Sequence, residues 1–524
     1  MQLSMNKTLI LAGALSAALV GTAHAESVLK VALNADIRST DPGVNRDTNS
    51  DAVIMHITEG LVAFREDATV GPLLAKDVQV SDDGLRYTFH LRDGVKFQNG
   101  KALTSADVLW TWKRFLDPKT QWRCAPEFDG HGGAKIVDMS APDPLTVVFT
   151  LDKPNGLFLT STALPECGGS GILSADSLSA DGSWRAPVGT GPFQLGEWKP
   201  GQYVELLRNP NFTPRDEKEP DGYTGNKSTR LDRVRLLVIP DPAAAKAALL
   251  SKNVDLLIDV TPLDATELAA HSGVRVTSSG TMSVNALLFQ TRDPLLKDVR
   301  LRQAIAHALD SAQIVEALTG GRSKANNSMV ASGSHYHTAV EDQGFTFDPA
   351  KTAQLLREAG YKGEPIKLIV NKRYAAIFDM GVFVQAMAKA SGINLELETL
   401  EWGTQLERYQ SGNYQMMAFP YSERLDPALS FDSMTGDKDK ESRKVWDNPQ
   451  AREWLREAQR EGDISKRQAL FDQLHQQMIK DVPMIPMYNG NAIAASRDYV
   501  TGLRTWPVSK PRLWTVSVPA AGSN

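Results

Sequence analysis

Residues 71–108 read GPLLAKDVQVSDDGLRYTFHLRDGVKFQNGKALTSADV and carry more information about the fold than any other stretch of this chain. Asp83-Gly84 is a turn pair between two alternating runs, which predicts a β-hairpin. The second run places its apolar residues on one face: Tyr87, Phe89 and Leu91. Thr104 and Asp107 then form a capping box, which predicts the start of a helix. The stretch predicts a hairpin followed by a helix and contains no catalytic motif.

Strand and helix patterns alternate along much of the chain. Val28–Leu33 has the period-two pattern of a strand, and so does Thr146–Leu151. Asp241 and Pro242 open an alanine-rich helix that we expect to end near Leu250. We expect another strand at residues 255–260. This order predicts an α/β layered fold, and the pattern restarts as a second α/β region after about residue 286.

Five further segments follow residues 71–108 in a characteristic order. They are GTGPF at 189–193, RNPNF at 208–212, PLLKDVRLRQAIAHALD at 294–310, DPAKTAQLLREAGY at 348–361 and VPMIPMY at 482–488. Together, these segments resemble the bacterial extracellular solute-binding proteins of family 5, the peptide- and nickel-binding receptors of ABC importers. The resemblance implies a two-lobed α/β fold of the type II periplasmic-binding-protein class, with an extra subdomain on the first lobe.

The resemblance also implies a division of the chain. We expect a signal peptide at 1–25 and a first lobe at 26–286, with an inserted subdomain at about 45–185. A second lobe is expected at 287–486, and residues 487–524 would return to the first lobe.

The first 25 residues have the features of a secretory signal. Lys7 supplies the positive charge, residues 9–20 are apolar or small, and Ala23-His24-Ala25 matches a cleavage site. No later run approaches the roughly 18 apolar residues of a membrane-spanning helix. The net charge of −5 is spread along the chain and provides no basic surface for nucleic acid. We therefore expect a periplasmic monomer without membrane insertion or nucleic-acid binding.

The chain has two cysteines, Cys124 and Cys167. Export places them in an oxidising compartment, where a disulfide between them is the natural interpretation. The alternative is two separate buried thiols, because the sequence does not give the distance between them.

No sequence motif indicates catalysis. Gly189-Thr190-Gly191 resembles a phosphate loop only superficially, because Pro192 removes a backbone donor. His335 and His337 form the one close pair among nine histidines, and no acidic or thiolate partner stands at zinc spacing. We predict that the protein is not an enzyme and holds no metal or other cofactor. A secreted hydrolase is the alternative from a different class.

Residues 402–427, WGTQLERYQSGNYQMMAFPYSERLDP, combine aromatic and charged side chains as a ligand cleft requires. In peptide-binding relatives, a tryptophan opens this segment and an aspartate four residues before its closing proline binds the peptide α-ammonium. Trp402 matches the tryptophan, whereas Glu423 stands in the aspartate position. Glu423 either meets a ligand cation or pairs with Arg424 at the surface.

Other ligand-binding predictions rest on the same resemblance. Arg373 stands where dipeptide-binding relatives carry an arginine for the ligand carboxylate. Lys372 competes for that role, and a solvated loop is the other interpretation. Phe419 and Tyr421 alternate on a predicted strand and either face the cleft or pack in the core. Asn285 and Tyr488 are placed near the cleft by analogy with the crossovers between lobes.

These observations predict a substrate-binding protein that captures a short peptide or related amino compound and delivers it to an inner-membrane ABC permease. Two lobes would close over the ligand by hinge motion. An opine, an oligosaccharide or chelated nickel remains open as the ligand. A second hypothesis with the same fold is a protein that presents its ligand to a chemoreceptor, or a periplasmic chaperone; it differs from the first in the partner.

Overall fold

The computed structural model describes residues 26–520 apart from 45–46, 132, 373 and 509. The predicted signal peptide therefore lies outside the described residues. The helices are α1 (Thr48–Ile54), α2 (Ser105–Leu116), α3 (Phe158–Ala163), α4 (Pro242–Leu250), α5 (Pro262–Ala269), α6 (Val299–His307), α7 (Ser311–Thr319), α8 (Pro349–Ala359), α9 (Ala375–Ala390), α10 (Trp402–Ser411), α11 (Pro427–Met434), α12 (Pro449–Arg460) and α13 (Ile464–Asp481).

The strands follow the same alternating order along the chain. They are β1 (Val28–Leu33), β2 (Val62–Phe64), β3 (Val70–Pro72), β4 (Ala75–Val80), β5 (Arg86–Leu91), β6 (Ile136–Asp143), β7 (Thr146–Leu151), β8 (Phe193–Lys199), β9 (Tyr203–Arg208), β10 (Pro220–Asp221), β11 (Thr224–Gly225), β12 (Arg233–Val238), β13 (Leu256–Leu257), β14 (Val274–Phe289), β15 (Ile366–Val370), β16 (Leu395–Thr399), β17 (Met416–Tyr421) and β18 (Met484–Arg497).

Ten of these strands form one mixed sheet in the order β16-β15-β17-β14-β18-β13-β1-β12-β9-β8. In the first lobe, β1 pairs in parallel with β12 and β13. In the second lobe, β15 pairs in parallel with β16 and β17. The antiparallel strands β14 and β18 lie between these two groups and pair with each other along most of their length. The lobes are therefore joined by two adjacent long strands.

The β14–β18 ladder is irregular at its centre. Gly280 pairs with Asn491 and Val284 pairs with Asn489, so three residues of β14 lie opposite Gly490 alone. A bulge of this kind bends a strand and increases its local twist. The irregularity therefore marks the place where the sheet passes from one lobe to the other.

Each lobe has its own buried apolar clusters. The second lobe has one on each face of its sheet: Val284, Ala286 and Leu288 of β14 belong to one, and Leu287 and Phe289 to the other. This alternation follows from the period-two geometry of a strand that is buried on both faces.

The predicted hairpin and helix at residues 71–108 are confirmed. Strands β4 and β5 pair antiparallel around the turn, where Gly84 has a φ of 68°. The backbone N–H of Thr104 donates to the Asp107 carboxylate at 2.9 Å and completes the capping box of α2. These elements join β6 and β7 in a four-stranded sheet, β4-β5-β7-β6, that forms the extra subdomain.

The predicted disulfide is confirmed. Cys124 and Cys167 are bonded with their Cα atoms 5.8 Å apart, within the range for disulfides. The expected strand at 255–260 is shorter than predicted, because only Leu256–Leu257 pairs with its neighbours. None of the helices in the described part of the chain is both long and apolar enough to cross a membrane.

Candidate functional site

The irregular centre of the β14–β18 ladder, residues 280–284 and 489–491, is called the lobe passage. A cavity of about 600 Å³ lies where the first lobe meets this β14–β18 passage. The three parallel strands β1, β12 and β13 direct their carboxyl ends toward it, and residues Leu33, Ile239 and Ile258 at or just beyond those ends line its wall. Ligands of open α/β sheets bind outside the carboxyl ends of the strands. The volume is also in the range of small-molecule sites.

The lining combines apolar walls with a limited set of polar groups. The polar residues that line the cavity are Asn34, Thr48, Asn49, Lys246, Asp259, Thr261, Asp264, Thr281, Ser283, Glu423, Asn491 and Lys510. Glu423 follows β17 and comes from the second lobe, whereas Lys510 comes from the C-terminal segment. Both lobes and the passage between them therefore contribute to one cavity.

A chain of amide hydrogen bonds orients a carboxylate on the first-lobe wall. The Asn49 side chain donates to Asn34 Oδ1 at 3.0 Å, and Asn34 Nδ2 donates to Asp259 Oδ2 at 3.2 Å. Asn49 is buried, so the chain starts from a fixed point on α1. Asp259 itself is exposed toward solvent.

The helix α1 that supplies this wall also carries a buried carboxyl group. Burial raises the pKa of Asp51 to about 7, and the charges of Arg123 and Lys510 act in the opposite direction. Arg123 Nη2 donates to Asp51 at 3.1 Å. Because Arg123 directly precedes Cys124, the segment that carries the disulfide is hydrogen-bonded to helix α1 beside the cavity.

The short segment that carries Glu423 is anchored by a buried ion pair. Arg467 on α13 donates to both carboxylate oxygens of Asp426 at 2.9 and 2.7 Å. Asp426 also accepts the N–H of Ala428 and so caps α11. Arg467 further donates to the hydroxyl of Tyr336 at 3.0 Å. Glu423 therefore lies three residues from a rigid anchor.

The bulge at the lobe passage forms another part of the cavity wall. The N–H of Gly490 donates to Ser283 Oγ at 3.1 Å, and a Cβ at Gly490 would stand 2.5 Å from that oxygen. The buried Asn489 donates to the carbonyl of Ser283 at 2.8 Å, and its own oxygen accepts three hydrogen bonds from Asn326 and Ser332. The passage thus depends on close backbone approach at residue 490.

The two lobes also touch away from the cavity. The N–H of Gly156 in the extra subdomain donates to the carbonyl of Gln459 on α12 at 2.9 Å. A Cβ at Gly156 would stand 2.2 Å from the carbonyl oxygen of Glu461, so this approach requires glycine. Leu425 of the second lobe packs against a small buried cluster that includes Ala68 of the first. The structure therefore has its lobes in contact.

The predicted aromatic residues of the second lobe lie together. Phe419 and Tyr421 are almost fully buried in one apolar cluster, and Trp402 packs against that cluster at the start of α10. The ring centroids of Trp402 and Phe419 are 5.8 Å apart, and those of Tyr409 and Phe419 are stacked at 4.3 Å. Burial raises the pKa of the Tyr421 hydroxyl well above its usual range. Of the predicted ligand residues that the structure describes, Glu423 is the one that lines the cavity.

The remaining predicted residues lie elsewhere. Asn285 and Tyr488 are opposite each other in the β14–β18 ladder, and Tyr488 packs in the second lobe's other cluster, on the sheet face away from Phe419. Burial raises the pKa of Tyr488 to about 12. The structure therefore separates this pair from the aromatic group. Arg373 lies outside the described residues.

Several cavity residues were not predicted from the sequence. Asn34 directly follows β1, which ends at the cavity, and that position was the available signal. Asp259 lies two residues beyond β13 but falls inside the strand expected at 255–260, so the sequence held no such signal for it. Lys510 follows no strand or motif, so the sequence held no comparable signal for it. Among the described residues, no group of three or more His, Cys, Asp or Glu side chains is placed to hold a metal ion.

Comparison with known proteins decides the family. Residues 69–442 match the model of the bacterial extracellular solute-binding proteins, family 5. The chain belongs to this family. The resemblance inferred from residues 71–108 is thereby confirmed, and the protein is a substrate-binding protein of the kind that serves ABC transporters.

Individual relatives extend over almost the whole chain. Haem-binding protein A of Haemophilus influenzae is 25% identical over 90% of this chain and 88% of its own length. Di/tripeptide-binding protein 4 of Pseudomonas aeruginosa is 28% identical over 90% of each chain. The solved ABC transporter substrate-binding protein of Sinorhizobium meliloti matches with a TM-score of 0.80 at 20% identity, covering 94% of this chain and all of that one. This last likeness confirms the predicted two-lobed fold.

Proposed function

We propose that this protein captures a short peptide or a related amino compound in the cavity at the lobe passage, with the Glu423 carboxylate meeting the ligand's ammonium group. The observation that carries the proposal is the position of Glu423, a second-lobe residue that lines a cavity otherwise built by the first lobe and the passage. Desolvating an ammonium group is costly unless a carboxylate meets it, so a carboxylate at this position favours a cationic ligand.

The position of Glu423 also supports a role in lobe closure. A ligand bound to first-lobe groups and to Glu423 would link the two lobes and stabilise their contact, as in hinge closure of other two-lobed receptors. The Asp426–Arg467 anchor limits the motion of the segment that carries Glu423. We propose that delivery to an inner-membrane permease follows from recognition of this closed form, and that the mature monomer acts in the periplasm after removal of residues 1–25.

The other predicted residues and boundaries remain part of the proposal. Trp402, Phe419 and Tyr421 would support the second-lobe side of the cleft from within their aromatic cluster. Arg373, Asn285 and Tyr488 stay predictions. So does the division at 26–286, 287–486 and 487–524; the burial of Leu513, Trp514 and Val516 in the first-lobe core supports a returning C-terminal segment.

Relatives named for dipeptides and di/tripeptides support a peptide ligand. A relative named for haem makes haem the competing ligand. Haem iron is held by His, Cys, Met or Tyr side chains. The described residues that line the cavity include none of these, so a peptide fits the lining better.

Native mass spectrometry of the mature protein, purified from its own periplasm without refolding, tests the proposal. We expect a retained compound with the mass of a short peptide or amine, and we expect Glu423→Ala to lose it. Asp82→Ala, at the exposed β4–β5 turn outside the cavity, is the matched control and should retain the compound. Retained haem, or a peptide held equally by Glu423→Ala, would contradict the proposal.

A further inference from the structure

The charged side chains that line the cavity do not balance. Three of them are carboxylates, Asp259, Asp264 and Glu423, and two are ammonium groups, Lys246 and Lys510. Lys246 Nζ lies 2.9 Å from Asp264 and 2.6 Å from Glu267, which stands outside the lining, so two carboxylates already share its charge. Asp264 is therefore already paired within the protein, whereas Asp259 belongs to no ion pair among the described residues and favours a basic group on the ligand.

Asp259 is the carboxylate best placed to meet a second cation. Within the described part of the chain, no Lys, Arg or His nitrogen lies within 4.0 Å of it, and its side chain accepts a hydrogen bond from the neutral Asn34. The Asn49–Asn34 chain fixes one carboxylate oxygen and leaves the other to accept from a ligand. This is the arrangement of an oriented acceptor, since a partner holds the carboxylate without neutralising it.

Two further cavity groups fit the rest of such a ligand. Asn491 lines the cavity, and none of the described residues donates to its buried side-chain oxygen, so it can accept from a ligand N–H. Lys510 forms no ion pair within 4.0 Å among the described residues and can meet a ligand carboxylate.

We propose that Asp259 is a specificity-determining residue that binds a basic group of the ligand, so that the preferred ligands are short peptides or amino compounds with a lysine- or arginine-like side chain beside their α-ammonium. In this arrangement Glu423 binds the α-ammonium, Asp259 the basic side chain and Lys510 the carboxylate. The inference rests on the proposed function and narrows its ligand class.

Isothermal titration calorimetry of the mature chain tests this inference with two dipeptides, lysyl-alanine and alanyl-lysine, and their Nε-acetyl derivatives. Acetylation removes the basic group's charge and keeps the peptide's main chain. We expect at least one free-amine peptide to bind about tenfold more tightly than its acetylated partner, the size of a charge-assisted hydrogen bond. Asp259→Asn should reduce that ratio to about one and leave the affinity for the acetylated peptide unchanged. Asp82→Asn is the control and should keep the ratio.

The outcomes separate this inference from the proposed function. Equal binding of free and acetylated peptides by the unsubstituted protein, with all of them weakened by Glu423→Gln, would overturn the role of Asp259 and leave the peptide-binding proposal standing. A preference for the free amine that survives Asp259→Asn would also overturn it. Failure of all four peptides to bind would overturn both.

Discussion

Breaking the Asp426–Arg467 ion pair should destabilise the second lobe more than loss of an ordinary surface salt bridge. Both side chains are buried, with exposures of 7% and 6%, and two hydrogen bonds join them. Asp426→Asn would leave the guanidinium buried without its counter-charge, which costs about 3–5 kcal/mol. An exposed pair would contribute only about 0–1 kcal/mol. A buried pair and an exposed pair therefore predict clearly different losses in the free energy of unfolding.

A double-mutant cycle tests this reasoning. Arg467→Met should also be strongly destabilising, because it leaves the Asp426 carboxylate buried. The double variant Asp426→Asn/Arg467→Met should lose much less than the sum of the two single losses, since no buried charge remains. Because two lobes can unfold separately, hydrogen exchange of α11 and α13 is the appropriate measurement.

The same cycle connects stability to ligand binding. Asp426 caps α11 and ends the segment that carries Glu423, so Asp426→Asn should also weaken peptide binding in calorimetry, whereas Asp432→Asn on the exposed side of α11 should not. Two single losses that are each below about 1 kcal/mol and simply additive would refute the claim that this pair acts as a buried anchor.

Three other predictions concern the rest of the molecule. His56 accepts a hydrogen bond from the N–H of Leu513, and burial, assisted by the charge of Lys227, lowers its pKa to about 4. Since the unfolded pKa of histidine is about 6.5, the stability advantage of the unsubstituted protein over His56→Gln should be full above pH 6.5 and fall by about 3 kcal/mol toward pH 4. Urea titrations at several pH values measure this advantage, and an advantage that stays constant would contradict the buried neutral imidazole. The raised pKa of Asp51 makes stability change with pH in the opposite direction, but this contribution is present in both the unsubstituted protein and His56→Gln and cancels in their comparison. Replacing both cysteines by serine opens a loop with a sequence separation of 43 and should cost about 4 kcal/mol by chain entropy, read as a lower Tm that reduction no longer changes; an unchanged Tm would contradict this. Gly156→Ala should separate the lobes, raise the radius of gyration in solution scattering and weaken ligand binding, and an unchanged radius and affinity would show that this contact does not hold the lobes together.

Local sequence signals predicted many of the elements. The Thr104–Asp107 capping box and the Asp83-Gly84 turn encode their structures within a few residues, and the structure has both. Val28–Leu33 was predicted with its observed bounds. In each case, backbone geometry and a short side-chain pattern agree, so no distant contact is needed.

The crossovers between the lobes were predicted near Asn285 and Tyr488, but the length of the strands that form them was not predicted. The 16-residue strand β14 runs through Ser278, Ser279 and Gly280, a stretch without the β-branched or aromatic residues that indicate a strand. Its partner β18 imposes the extended conformation through the ladder between them. Tertiary pairing therefore overrode the local propensity of this segment.

The candidate site was only partly predictable for a related reason. Asn34, Asp259 and Lys510 are far apart in the sequence and meet only because parallel strands end at one edge and the C-terminal segment returns there. Glu423 was found through family resemblance. Aromatic residues such as Phe419 and Tyr421 are typical both of ligand-binding walls and of buried cores, so the residue type alone could not decide between the two, and the structure places both in a core cluster.

The contact between Glu423 and the ligand ammonium is tested by the affinity of the mature protein for alanyl-alanine and for N-acetyl-alanyl-alanine, measured by calorimetry with and without Glu423→Gln. We expect the unsubstituted protein to bind the free peptide at least about tenfold more tightly than the acetylated one, and we expect Glu423→Gln to remove most of this difference. Equal affinities for the two peptides, or a difference that Glu423→Gln leaves unchanged, would contradict a contact between Glu423 and the ligand ammonium.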